Sequence, residues 1–423
     1  MAKKKKGADQ PSVGYFSFSG LDAFGDDPFT VFSTLQEWLL PSVSELSERS
    51  PQLVREEIRG PTILPTSRLQ GECKFDGRGL QCEIILYEGL FLSLRCFAEL
   101  LATQMPPPDK DTSLRSLLAG TARPRAGERE SLERPKAIEI LEAVLERFWL
   151  KPEDPLGLRN LDFLDKARMF RPDYVRPIAD VLASLRSALD PPRLEGARML
   201  IQSASLFVLA HELSHYIVKS RSDPKSLAAW SSAVRACGFR APEPAEEGWA
   251  ANWAVEFQAD MEAGTMLMHF GQRAARGEVD AIRTSTDPDE FNVGWTLGTW
   301  SSIYFTLATV HLLEMYGWAR FGRPFPLSSH PPAMRRRQFL VRTMPPEVAV
   351  LVSIHGEMIW TELEALFSDV LERQVAQNRL TVTGRDRTEM LEYFASTRSR
   401  FEQSYAKGGL LEELKDLRSR LRT

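Results

Sequence analysis

Apolar residues recur at intervals of three and four along two long stretches of the chain, the spacing typical of helices with one buried face. The first stretch predicts a helix that begins after Pro192 and runs to about Lys219, before a second proline-containing break. The second predicts a helix from about Trp249 to Phe270. The apolar stripe of the first consists of Leu206, Leu209, Leu213 and Ile217.

Shorter apolar patterns predict helices on both sides of this pair, so the chain is expected to be mainly helical. These helices cover Leu90 to Gln104, Ala137 to Leu150 and Pro177 to Leu189, and several follow Pro346, including Leu410 to Leu421.

One β element stands out between residues 69 and 88. Two strand-like runs, 70–75 and 80–87, flank the turn sequence Asp76-Gly77-Arg78-Gly79, which is typical of a hairpin. The fold class predicted from these patterns is α+β, mainly helical, with a small antiparallel sheet.

The stretch from Val293 to Leu313 contains no Asp, Glu, Lys or Arg and is long enough to span a bilayer. Several Ser and Thr residues, His311 and two glycines make it much less apolar than a typical membrane span. We therefore expect a buried core helix and no stable membrane span.

Composition and charge narrow the classes of partner and compartment. The formal net charge is −4, from 53 basic and 57 acidic residues, so no global basic field favours a nucleic-acid partner. The lysine run at residues 3–6 is typical of a solvated tail. Four irregularly spaced cysteines do not make a disulfide framework, and no apolar signal segment follows Met1. These features predict a cytoplasmic protein.

The candidate chemistry lies on the first long helix, in the sequence His211-Glu212-Leu213-Ser214-His215. Two histidines four residues apart project from one helix face and can bind one metal ion. Zinc (Zn²⁺) suits such a pair, because a catalytic zinc site takes three protein ligands and leaves one position open. Glu212 is then placed to act as the general base toward a metal-activated water, which predicts hydrolysis of a peptide bond. A chance match on an amphipathic helix is the alternative.

The second long helix offers a third ligand. Glu256 and Asp260, four residues apart, share a face with apolar residues such as Trp253. We predict Glu256 as the zinc ligand and Asp260 as the carboxylate that orients a ligand imidazole. Two alternatives stay open, namely a solvated acidic face and a substitute ligand, either His269 or Asp223.

The sequence Glu256-Phe257-Gln258-Ala259-Asp260 resembles the E-x-x-A-D element of gluzincin peptidases, in which the Glu is the third zinc ligand. The segment Ser329-His330-Pro331-Pro332, with a later arginine, is similar to a motif of the HtpX and CAAX-prenyl protease group. The stretch 207–215 resembles the metal-binding helix of the ImmA/IrrE-type bacterial peptidases, and the Lit-type phage-exclusion peptidases share its H-E-x-x-H motif. These resemblances span roughly Arg198 to Leu340 and imply a zincin-like catalytic core.

The same resemblance implies roles for His330 and Arg336. His330 would stabilise the oxyanion of the tetrahedral intermediate, and Arg336 would brace the pocket through charge-assisted hydrogen bonds. Alternatively, His330 is a turn residue and the run Arg335-Arg336-Arg337 is a solvated helix start.

The chain is predicted to have four segments around this core. They are an N-terminal segment at 1–60, a hairpin and helical region at 61–190, the zinc peptidase core at 191–345 and a C-terminal helical region at 346–423. The large flanking regions favour a restricted protein target or a regulatory protein partner. The resemblance implies that the protein acts in bacterial stress or phage defence. The rival hypothesis is a non-catalytic interaction protein with a structural zinc site.

Overall fold

The computed structural model describes residues 16–18, 28–64, 71–77, 79–104, 132–149, 178, 180–221, 224–237, 248–279, 282–284, 288–321, 331–343, 346–384 and 387–393. Within these residues the chain is mostly helical, as the sequence predicts. The helices are α1 (Pro28–Ser47), α2 (Pro51–Glu57), α3 (Glu88–Gln104), α4 (Arg134–Trp149), α5 (Pro191–Arg221), α6 (Pro224–Ala236), α7 (Trp249–Ala275), α8 (Pro288–Phe321), α9 (Ala333–Thr343) and α10 (Pro346–Ala376). The strands are β1 (Phe16–Phe18), β2 (Ile58–Leu64), β3 (Gly71–Phe75), β4 (Cys82–Tyr87) and β5 (Ile282–Thr284).

The two long helices predicted around the candidate site are present as α5 and α7. α5 begins at the prolines after Asp190, whose side chain accepts a hydrogen bond from the backbone N–H of Arg193 at 2.9 Å, so the acid caps the first turn. α7 begins after Gly248 and extends to Ala275, five residues beyond the predicted end. The predicted helix at 410–421 lies outside the described residues.

The sheet differs from the sequence-based prediction in one respect. β3 and β4 form the expected antiparallel hairpin, in which Phe75 pairs with Cys82. β2 then pairs with β4 in parallel, so the order is β2-β4-β3 and the three-stranded sheet is mixed rather than antiparallel. Gly60 and Pro61 interrupt the strand pattern of β2, and the pairing with β4 shifts register beside them, between Arg59 and Thr62.

α8 covers the uncharged stretch 293–313, and most of its large apolar side chains are buried in the core. Among the described residues, no helix is both long enough and apolar enough to cross a membrane.

One large apolar cluster holds the described chain together. It includes residues of all four segments predicted from sequence, for example Phe32, Leu94, Leu213 and Trp360. A smaller cluster joins α6, α7 and α9 through Val234, Phe257 and Phe339. The rings of Phe257 and Phe339 stack with their centroids 4.4 Å apart. α7 therefore packs with α5 in the large cluster and with α6 and α9 in the smaller one.

Candidate metal centre

His211 and His215 lie on adjacent turns of α5, as their spacing requires. Their ring centroids are 4.9 Å apart, and apolar residues on both sides bury the surrounding helix. His211 is only 7% exposed, whereas His215 is half-buried. The two imidazoles thus share one largely buried space.

α7 brings Glu256 to the same space. Glu256 Oε2 lies 3.4 Å from His211 Nε2, and Glu256 Oε1 lies 3.8 Å from His215 Nε2. A tetrahedral zinc ion with bonds of about 2.0–2.1 Å would separate its ligand atoms by about 3.3 Å. One candidate atom from each of the three residues lies within 4.8 Å of the other two. The donor set and its spacing therefore fit zinc.

Asp260 and Arg336 lie on the side of the His211 ring that is opposite to Glu256. Asp260 is fully buried, and its Oδ1 lies 2.9 Å from His211 Nδ1. Arg336 of α9 donates from Nε to Asp260 Oδ2 at 2.8 Å and from Nη2 to Asp260 Oδ1 at 2.5 Å. This two-bond contact fixes the carboxylate, which in turn fixes the imidazole.

The contact also determines which nitrogen of His211 carries the proton. Arg336 Nη2 lies 3.3 Å from His211 Nδ1, but both groups would be donors in such a pair. Since Asp260 is the nearer group and is an acceptor, Nδ1–H donates to Asp260. In the neutral imidazole, His211 Nε2 is then the unprotonated nitrogen, and it faces Glu256, where a metal ion could bind.

The charges of the site shift several pKa values. Burial and the charge of Arg336 lower the pKa of His211, but hydrogen bonds to Asp260 and Glu256 outweigh them and raise it to about 9. Burial lowers the pKa of His215 to about 4. Burial would raise the pKa of Glu256, yet the hydrogen bond with His211 and the charge of His215 hold it well below its usual range. The site thus keeps Glu256 as a carboxylate, the form that binds metal.

The Glu212 carboxylate lies against the sheet, at the first residue of β3. Burial raises the pKa of its carboxyl group to about 7. A Cβ atom at Gly71, the first residue of β3, would lie 2.5 Å from Glu212 Oε1, so only glycine allows the strand to approach this closely. Sequence reasoning missed Gly71, although a glycine at the start of the predicted hairpin strand was a usable signal.

His269, one of the two alternative ligands, does not join the cluster. His269 lies near Glu45, with its Nδ1 3.3 Å from Glu45 Oε2, and Asp223 is outside the described residues. His330 is also outside the described residues, so its predicted oxyanion role remains a prediction.

Glu314 of α8 is a second residue that sequence reasoning missed. Its Oε2 accepts a hydrogen bond from the backbone N–H of Ala333, the first residue of α9, at 3.4 Å. Burial raises the pKa of Glu314 to about 7, against this hydrogen bond and the charge of Arg336. Glu314 therefore helps to fix the start of the helix that carries Arg336.

No protein-family model, curated protein or solved structure matches the chain. The functional assignment depends on the geometry of the site itself.

Proposed function

We propose that the protein is a zinc-dependent endopeptidase that hydrolyses a peptide bond, with Glu212 as general base. The observation that carries this proposal is the convergence of His211, His215 and Glu256 beside a buried Glu212 that faces a sheet edge. A structural zinc site has no use for a proton-accepting carboxylate beside its ligands.

The three converging residues would hold the ion, and Asp260 and Arg336 would orient its first imidazole. When bound, zinc would supply a Lewis acid that polarises a carbonyl group and acidifies a water molecule. Glu212 would accept the proton of that water and later deliver it to the leaving amine. A group that moves protons in both directions works best with a pKa near the working pH, and burial of Glu212 favours such a value.

The sheet supports a peptide as the substrate class. β3 pairs with β4 along one side only, and no described strand pairs with its other side. An extended peptide could add to that edge through backbone hydrogen bonds, with its scissile bond near Glu212. The large flanking regions and the motif resemblance to bacterial peptidases support a restricted protein target, in a stress or phage-defence setting, and a regulatory partner.

The test combines metal analysis with cleavage assays. We expect the purified full-length chain to hold about one zinc ion and its His211→Ala variant to hold much less, because a third of the donor set is lost. Glu212→Gln should retain zinc but lower the rate of peptide cleavage by about 10²–10⁴-fold, the usual contribution of a general base. Glu195→Gln is the matched control, since Glu195 lies on the same helix and, among the described residues, pairs with Arg198 at 3.7 Å.

Two outcomes would contradict the proposal. Absence of zinc from the purified chain and from chain incubated with zinc would exclude the metal site. Full retention of activity in Glu212→Gln, with zinc still bound, would instead favour the rival interaction protein with a structural zinc site.

A further inference from the structure

The metal-binding face of α5 continues one turn beyond the metal cluster. Lys219 follows His215 by four residues and therefore projects from the same helix face. Its Nζ lies 3.8 Å from the ring centroid of Phe75, the last residue of β3. Because Gly71 at the other end of β3 touches Glu212, the strand runs alongside α5 from the proposed general base to Lys219.

Lys219 is a half-buried cation whose described partner is an aromatic ring. The structure places no carboxylate of the described residues within ion-pair distance of its amine. Arg221, two residues later on the same helix, is different, since its Nη1 lies 3.1 Å from Glu262 Oε1. The Phe75 ring attracts the ammonium group and restricts its position without neutralising it. An anionic group brought beside Lys219 would therefore gain a charge partner.

The distance from Glu212 to Lys219 sets which part of a bound peptide reaches this amine. Seven residues of α-helix rise about 10 Å, which equals about three residues of an extended strand. A peptide that pairs antiparallel with β3 has its N-terminal side toward Phe75. The antiparallel arrangement is also the slightly more stable ladder.

We propose that Lys219, supported by the Phe75 ring, forms a subsite for an acidic side chain of the substrate, about three residues N-terminal to the cleaved bond. This inference rests on the proposed peptidase function and adds a substrate class, acidic peptides, to it. Lys219 is then a specificity-determining residue that takes no part in the proton transfers.

The first experiment measures binding, so that it does not depend on cleavage. It uses zinc-loaded, full-length Glu212→Gln protein and three fluorescent peptide pools, each with Glu, Gln or Lys at one fixed position among randomised uncharged residues. We expect the Glu pool to bind at least about fivefold more tightly than the Lys pool, and the preference to weaken as salt increases. The preference for the Glu pool should disappear when the Glu212→Gln protein also carries Lys219→Gln. It should reverse when that protein carries Lys219→Glu instead.

Arg221→Glu is the matched control, because it makes the same charge reversal two residues away on a different face of α5. Zinc content should stay constant in all of these variants, which checks that the site remains folded. Equal binding of the three pools, or the same reversal in Arg221→Glu, would overturn the proposed subsite.

The second experiment locates the acidic residue relative to the cut. Cleavage of a mixed synthetic peptide library by the zinc-loaded protein, read by mass spectrometry, should enrich Asp or Glu about three positions N-terminal to the cleaved bond. Enrichment only on the C-terminal side would contradict the antiparallel placement. Acid-selective binding without any cleavage would leave the subsite in place and refute the proposed peptidase activity instead.

Discussion

At the scale of single residues, Gly71 is the position where the sheet comes closest to the proposed general base. The absence of a side chain lets β3 pass directly beside the Glu212 carboxylate. We expect Gly71→Ala to displace this carboxylate and to reduce kcat/KM for peptide cleavage by about 10²-fold, since small misplacements of catalytic groups have effects of this size. Zinc content should not change, because no metal ligand is touched.

Gly79→Ala provides the control for this substitution. Gly79 belongs to the same hairpin, and a Cβ atom there would meet no atom closer than 3.6 Å. Its kcat/KM should match that of the parent protein. If Gly71→Ala and Gly79→Ala had equal, undiminished activity, the contact between β3 and Glu212 would have no role in catalysis.

The arginine run at 335–337 illustrates what a single-residue argument cannot determine. The sequence allowed either a solvated helix start or a brace for the pocket. In the structure all three residues are half-buried, and Arg336 contacts Asp260. Arg337 has different neighbours, and its Cζ atom lies 4.4 Å from the centroid of the Trp360 ring. Which arginine reaches which partner depends on the rotation of α9, and a run of identical residues carries no signal for it.

At the scale of elements, α7 and α8 pack closely at a helical glycine. A Cβ atom at Gly271 would lie 2.2 Å from Trp295 Cδ1, and the Trp295 indole N–H donates to the Leu267 carbonyl at 2.8 Å. We expect Gly271→Ala to lower the free energy of unfolding by about 1–3 kcal/mol, because the ring must move out of a well-packed position. Urea denaturation, read as a change in midpoint at constant slope, measures this.

Gly196 offers the opposite case on α5. It is exposed, and a Cβ atom there would meet nothing within 4 Å. Gly196→Ala should therefore raise the free energy of unfolding by about 0.5–1 kcal/mol, as expected for replacing glycine in a helix. Equal effects of the two substitutions would show that helix propensity, rather than the contact with Trp295, governs the Gly271 position.

At the scale of the whole molecule, zinc binding is expected to depend on pH. The pKa of His211 is raised to about 9, so this imidazole carries an extra proton at neutral pH and must lose it to bind metal. His215, with a pKa lowered to about 4, is already neutral there. Apparent zinc affinity should therefore rise with pH, by up to about tenfold per unit, until the pH reaches about 9.

Calorimetric titration in buffers of different ionisation enthalpy measures the protons released. Near neutral pH we expect about one proton per zinc ion from His211. An affinity that does not vary with pH, together with no proton release, would contradict the inferred protonation of His211. Asp260→Asn should reduce the release, because it removes a carboxylate that favours the charged imidazole.

The sequence by itself determined the local part of this protein. Helical periodicity predicted α5 and α7, and the four-residue spacings placed His211 with His215 and Glu256 with Asp260, because side chains four apart share a helix face. Only the tertiary structure decided how α7 packs against α5. It also brought Arg336 to the Asp260 carboxylate and Gly71 to Glu212. It also decided the parallel pairing of β2 with β4, which the hairpin pattern did not reveal. These contacts join residues far apart in the chain, and they follow from how whole elements pack in one core rather than from any local pattern.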